Sequence, residues 1–120
     1  MNVIATDKAP GAIGPYSQAY EVNGFVYTSG QIPVNPATGE VAEGIAAQAE
    51  QSCKNVGAIL EAAGTGFDKV FKTTCFLANM EDFAAFNEVY AKYFTSKPAR
   101  SCVAAKAPPK GVLCEIAAIA

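Results

Sequence analysis

Histidine is absent from this chain of 120 residues, and arginine occurs once, at Arg100, among nine cations. Without histidine there is no Ser-His-Asp or Cys-His machinery. Acid–base work near neutral pH falls to carboxylates, lysine, tyrosine, thiol, backbone or water. Cys53, Cys75, Cys102 and Cys114 show no Cys-x-x-Cys spacing, so no metal site is expected, and the thiols read as reduced and mostly buried. No apolar run approaches the ~18 residues of a membrane span. The N-terminus lacks a signal-peptide pattern, so a cytoplasmic protein with no membrane partner is expected. The formal charge is only −2 and the lysines are scattered singly, which leaves no footprint for nucleic acid.

What is present is apolar and patterned. Hydrophobic residues make up 51% and charged residues 17%, which separates the chain from disordered sequences. The length suits one domain over residues 1–120 with a modest core. After a lead-in over residues 1–13, Gly14-Pro15-Tyr16 opens a strand to Val22. Asn23-Gly24 is a strong type I′ hairpin signal, and Phe25 to Ser29 returns, with Tyr20 opposite Tyr27 and Gln18 opposite Ser29. Gly30 to Glu40 reads as a loop stiffened by prolines. Ile45, Ala49, Cys53, Val56, Leu60 and Ala63 recur at helical spacing, and Gly64 ends that helix. Gly64-Thr65-Gly66 lacks the following Lys-Ser/Thr of a phosphate loop.

Residues 70–77 read as a strand. Asn79 with Asp82 resembles a capping box opening a second helix to about Phe94, whose stripe is Phe83, Phe86, Val89, Tyr90 and Tyr93. Two further strands, from Pro98 and from Val112, flank Pro108-Pro109-Lys110-Gly111, which reads as a hairpin turn bringing Arg100 close to Glu115. The expected order is β-β-α-β-α-β-β, an α+β two-layer sandwich with both helices on one sheet face. The other face then needs cover, which neighbouring subunits would supply.

The lone arginine offers a rigid fork of donors suited to a carboxylate, and Glu115 could orient and partly deprotonate a water. A purely structural Arg–Glu pair is the competing reading. Cys102 shares a strand face with Arg100, but no histidine exists to activate it, so it reads as a pocket-shaping residue. On physical grounds alone Asn87 is a surface or capping residue.

Pro98-Ala99-Arg100-Ser101-Cys102-Val103 followed by Cys114-Glu115-Ile116 resembles the C-terminal signature of the Rid (YjgF-type) family of reactive-intermediate deaminases. Gly14-Pro15-Tyr16-Ser17-Gln18, Thr28-Ser29-Gly30-Gln31-Ile32-Pro33, Asn79 and Asn87 extend the likeness over essentially the whole chain. The resemblance implies a chorismate-mutase-like fold and a homotrimer with clefts between subunits. It implies cofactor-free hydrolysis of reactive 2-imino acids and enamines (2-iminobutanoate, 2-iminopropanoate) released by pyridoxal-phosphate enzymes, giving 2-keto acids and ammonia. It assigns Arg100 to the substrate carboxylate, Glu115 to the water and Tyr16 to closure and proton sharing. Ser29 would bond a polar group or water, with Gly30, Asn87 and Cys102 lining the pocket. The sequence departs from the family at Cys114, where an aliphatic residue is usual, and at Ala107-Pro108-Pro109. Two other functions compete: a non-catalytic module binding keto or imino acids, and an RNA-cleaving translation inhibitor.

Overall fold

The computed structural model describes residues 1–120. In chain order the elements are β1 (Asn2–Ile4), β2 (Ala19–Val22), β3 (Phe25–Thr28), α1 (Ile45–Ala62), β4 (Lys72–Leu77), α2 (Phe83–Tyr93), β5 (Ala99–Ala104) and β6 (Cys114–Ile119). All six strands form one sheet in the order β1-β2-β3-β6-β4-β5. The α+β expectation holds, with one strand more than the sequence suggested: Asn2–Ile4, taken as part of a lead-in, pairs with β2 from Asn2↔Glu21 to Ile4↔Ala19. Its alternation is too short to announce a strand.

The β2–β3 hairpin pairs Tyr20 with Tyr27 and Val22 with Phe25. Asn23 and Gly24 both have positive φ, 52° and 83°, as a type I′ turn requires. Strand β2 starts at Ala19, so Tyr16 lies in the loop before it. Helix α1 ends with Gly64 left-handed at φ 81°, while the Thr65 N–H donates to the Leu60 carbonyl at 2.9 Å, which closes the last turn. Ahead of α2, Asn79 Oδ1 accepts from the Glu81 N–H at 2.9 Å. That bond starts a 3-10 turn over Met80–Asp82, and α2 follows from Phe83.

Both helices cover one face of the sheet. Val56, Ile59 and Leu60 of α1 and Phe86 of α2 are fully buried against Cys75, Leu77, Cys114 and Ile116. Burying each such aliphatic or aromatic side chain contributes about 1.5–3 kcal/mol. The other sheet face carries Tyr27, Phe76, Val103, Ala117 and Ile119, and Tyr27 and Val103 are nearly half exposed.

The expected hairpin of the last two strands does not form. Strand β4 lies between them, parallel to β5 and antiparallel to β6. Thr73, Cys75 and Leu77 are all fully buried, as suits a central strand with partners on both edges. Helix α2 supplies the crossover a parallel β4–β5 pair needs. Residues 105–113 then span the width of β4 rather than making a tight turn, with Pro108 and Val112 buried as anchors. The Ala105 N–H donates to Leu77 and the Ala78 N–H to Leu113, which seats this connection on the end of β4.

Candidate active site

Arg100 is paired with Thr73 across β5–β4, and Glu115 with Phe76 across β6–β4. Thr73 and Phe76 are three positions apart on one strand, and side chains alternate faces, so Arg100 and Glu115 project to opposite sides of the sheet. The proximity expected from a hairpin is therefore overturned within one chain. The residues singled out in the sequence fall into two groups instead.

The first group surrounds Arg100 on the helical side. Its Nη1 donates to Asn87 Oδ1 at 2.8 Å. Its guanidinium carbon lies 4.7 Å from the centre of the Tyr90 ring and 5.4 Å from that of Phe83. Phe83, Asn87 and Tyr90 follow one another at intervals of four and three, which puts them on one stripe of α2 facing β5. The Tyr90 hydroxyl bonds the Thr73 hydroxyl at 2.7 Å, both buried, so the ring beneath the arginine is fixed from below. Burial raises the Tyr90 hydroxyl above its ordinary pKa. A planar cation clamped on a π face and by an amide oxygen keeps its remaining N–H donors aimed outward. They face a cleft of about 470 Å³ lined by Asn87, Tyr90, Phe94, Lys97, Pro98 and Arg100, among others.

Cys102 shares this sheet face, opposite Cys75 on β4, but does not line the cleft. Burial pushes its thiol above the ordinary value, the Arg100 charge opposing in part, and pushes Cys75 to about 12. All four cysteines are free thiols.

The second group holds Tyr16, Ser29, Gly30 and Glu115. Between the Tyr27↔Ile119 pair and the Gln31↔Ile116 bridge the first strand advances four residues and its partner three. This one-residue bulge at the end of β3 turns Ser29 and Gly30 out of regular pairing. The Ser29 hydroxyl donates to the Ser17 carbonyl at 2.6 Å, and its N–H to the Gln18 carbonyl at 2.8 Å. Glu115 lies directly over Gly30: a Cβ built there would overlap the carboxylate. Burial raises the Glu115 carboxyl above the usual carboxylate range. Tyr16 is 53% exposed, and its ring lines a small cleft together with Gly30 and Gln31.

Two residues to which the sequence reading gave no site role support this group. Buried Gln18 donates from Nε2 to the carbonyls of Thr6, Ala9 and Pro10 and accepts the Thr6 N–H, which ties the N-terminal segment beside Tyr16. Buried Asn55 donates to the carbonyls of Ile32 and Val34 and so holds the loop after Gly30 against α1. The available signal for Asn55 was its spacing of four from the apolar Ile59, at the edge of the buried face of α1. The aromatic clamp had one too, since Phe83 and Tyr90 bracket Asn87 on one helix face.

The family model described as endoribonuclease L-PSP matches residues 6–120. The chain belongs to this family. It is the Rid (YjgF) family of the sequence resemblance: the fold superposes on the YjgF gene product of Escherichia coli with a TM-score of 0.97 at 50% identity, covering 100% of this chain and 98% of that one. The E. coli K12 protein named 2-iminobutanoate/2-iminopropanoate deaminase is 52% identical over 121 residues, 98% of this chain and 94% of its own length. The crystal structure of E. coli TdcF with bound serine superposes with a TM-score of 0.96 at 46% identity, covering 100% of this chain and 98% of that one. No helix of this family member is long and apolar enough to cross a membrane.

Proposed function

We propose that this Rid protein is a deaminase that hydrolyses reactive 2-imino acids and their enamine tautomers, 2-iminobutanoate and 2-iminopropanoate among them, to 2-keto acids and ammonia. The observation that carries the reading is the aromatic and amide clamp on Arg100, which leaves a pre-oriented fork of donors open to a cleft and suited to a carboxylate. The relative named as a deaminase for these imines, and the TdcF structure with a bound amino acid, support the same substrate class.

The chemistry asks little of the protein. An iminium carbon is already electrophilic. Water adds through its oxygen to that carbon while one of its protons passes to Glu115, giving a carbinolamine. Glu115 returns that proton to the nitrogen, and the C–N bond breaks with release of ammonia as the hydroxyl oxygen forms the keto C=O and gives its proton back to the carboxylate. A carboxyl raised by burial is better matched to that proton transfer than an ordinary one. Arg100 contributes orientation of the substrate through its carboxylate. Tyr16 closes over the ligand, Ser29 and Gly30 offer polar backbone and hydroxyl groups, and Asn87 shapes the Arg100 side, with Cys102 packed beside it on the same sheet face.

One site needs both groups, yet β4 and the plane of the sheet separate them. We therefore assign the site to the contact between two copies of this Rid-type domain, spanning residues 1–120. One copy contributes Arg100 and Asn87, and its neighbour contributes Glu115, Ser29, Gly30 and Tyr16. The apolar sheet face with Tyr27, Phe76, Val103 and Ile119 is the surface such an assembly would bury. The number three, a cytoplasmic location and the absence of a nucleic-acid partner follow the family resemblance and the composition. A pure carboxylate binder has no use for a half-buried second carboxyl at Glu115. RNA cleavage fits poorly with one arginine, no histidine and a net charge of −2. The test is a coupled assay: a threonine dehydratase generates 2-iminobutanoate, and 2-keto acid release is followed with and without this protein. An unchanged release rate would overturn the deaminase reading.

A further inference from the structure

The cleft beyond Arg100 has a feature that clamping one carboxylate does not use. Its walls are Tyr90, Ala91, Phe94 and Pro98, and its charged side chains are Arg100 and Lys97, with no carboxylate among the lining residues. In a chain whose formal charge is −2, a cleft holding two cations and no acid is an anion-selective surface.

Lys97 is also held there at a cost. Its φ is 52°, a left-handed conformation that residues with a Cβ rarely adopt, and it directly precedes Pro98, which restricts its backbone further. Two hydrogen bonds hold the turn that carries it. The Lys97 N–H donates to the Phe94 carbonyl at 3.3 Å, and the Ser96 hydroxyl donates to the Val70 carbonyl at 2.5 Å. A strained residue pinned at the mouth of a cleft is a common mark of a ligand contact. Lys97 and Arg100 lie three residues apart at the entry to β5, and both line the cleft together with Pro98 and Phe94.

We propose that Lys97 is a specificity-determining residue whose ammonium receives a second anionic group, so that this cleft accepts 2-imino acids carrying a side-chain carboxylate. Arg100 takes the carboxylate beside the imine, the aliphatic carbons lie along Pro98 and Phe94, and the distal carboxylate reaches Lys97. The reaction is unchanged: water adds to the imine carbon and ammonia leaves. The inference rests on the carboxylate-clamp reading of Arg100.

The experiment compares two substrates and two ligands. An amino-acid oxidase with dioxygen as oxidant generates the imine of glutamate or of 2-aminobutanoate, and kcat/KM is measured on each. Binding of 2-oxoglutarate and 2-oxobutanoate is measured by calorimetry. Lys97→Gln is expected to lower the ratio of dicarboxylate to monocarboxylate kcat/KM about tenfold, a charge-assisted contact discounted for a solvated lysine. It should shift the ratio of the two dissociation constants in the same sense, and Lys97→Arg should restore most of both. Lys54→Gln, on the exposed side of α1, is the charge control and should leave the ratios unmoved. Equal effects of Lys97→Gln on both substrate classes, or none, would overturn the role of Lys97 while leaving the deaminase reading intact. A wild-type protein that binds and hydrolyses neither class would instead bring down the Arg100 clamp, and this inference with it.

Discussion

The carboxylate of Glu115 occupies the space that a side chain on residue 30 would fill, its carboxyl carbon 2.7 Å from the Cβ position of an alanine there. Gly30→Ala must therefore move Glu115. Gly30 has no positive φ, so the change tests crowding and not backbone strain. Hydrolysis should fall about 10²-fold, the cost typical of a displaced catalytic group. The melting temperature should drop only a few degrees. Steady-state kinetics beside a thermal melt distinguishes this from general unfolding.

Glu115→Gln keeps the shape and removes the base, so turnover should fall roughly 10²-fold while 2-keto acid binding survives. The raised carboxyl also fixes two pH dependences. Activity needs the carboxylate, so kcat should decline with falling pH at a point above the usual carboxylate range. The folded state holds this proton more tightly than the unfolded chain, so the group's contribution to stability falls as pH rises through the raised value. The glutamine variant should accordingly melt slightly above the wild type at pH 7 and lose that advantage at pH 3. A melting series over that range checks the sign.

Arg100→Lys conserves charge but loses the planar fork and its stacking on Tyr90. Imine hydrolysis should drop by about 30- to 1,000-fold, equivalent to about 2–4 kcal/mol for a bidentate contact. The fold should persist, since the guanidinium lies at a cleft. A lysine variant of normal activity would end the clamp assignment.

Tyr90→Phe keeps the ring under Arg100 and removes the bond to Thr73. A buried Thr73 hydroxyl without a partner should cost about 1–2 kcal/mol of stability. Asn87→Ala should act on KM more than on kcat, because it frees the arginine without touching the reacting atoms. Chemical denaturation of the first and kinetics of the second separate support of the fold from support of the clamp.

Assembly is tested by the open sheet face. Sedimentation equilibrium should give a trimer mass at micromolar concentration, and Val103→Lys, placed on that face, should shift the protein toward monomer and abolish activity together.

The sequence made local features plain and concealed one long-range one. Asn23-Gly24 set the first hairpin and its register, the spacing from Ile45 set α1, and the single arginine stood out as a chemical group. The order of strands β4, β5 and β6 was hidden because Pro108-Pro109-Lys110-Gly111 carries the signals of a tight turn while acting as a connection across β4. Only the complete burial of one face of β4, a property of the folded sheet, marks it as central. The clamp on Arg100 was half visible: its stripe on α2 could be read, but a stripe cannot announce which side chain from another element will lie on it. Tyr16, Ser29, Gly30 and Glu115 could be named from motifs, whereas their separation from Arg100 needed the sheet.

That separation makes two inactive variants repair each other. In the proposed ring every site draws Arg100 from one chain and Glu115 from the next, so a chain lacking one still carries an intact copy of the other. Refolding Arg100→Ala and Glu115→Gln chains together in equal amounts should return about a quarter of wild-type activity, the chance that both good halves meet at one contact of a closed cyclic assembly.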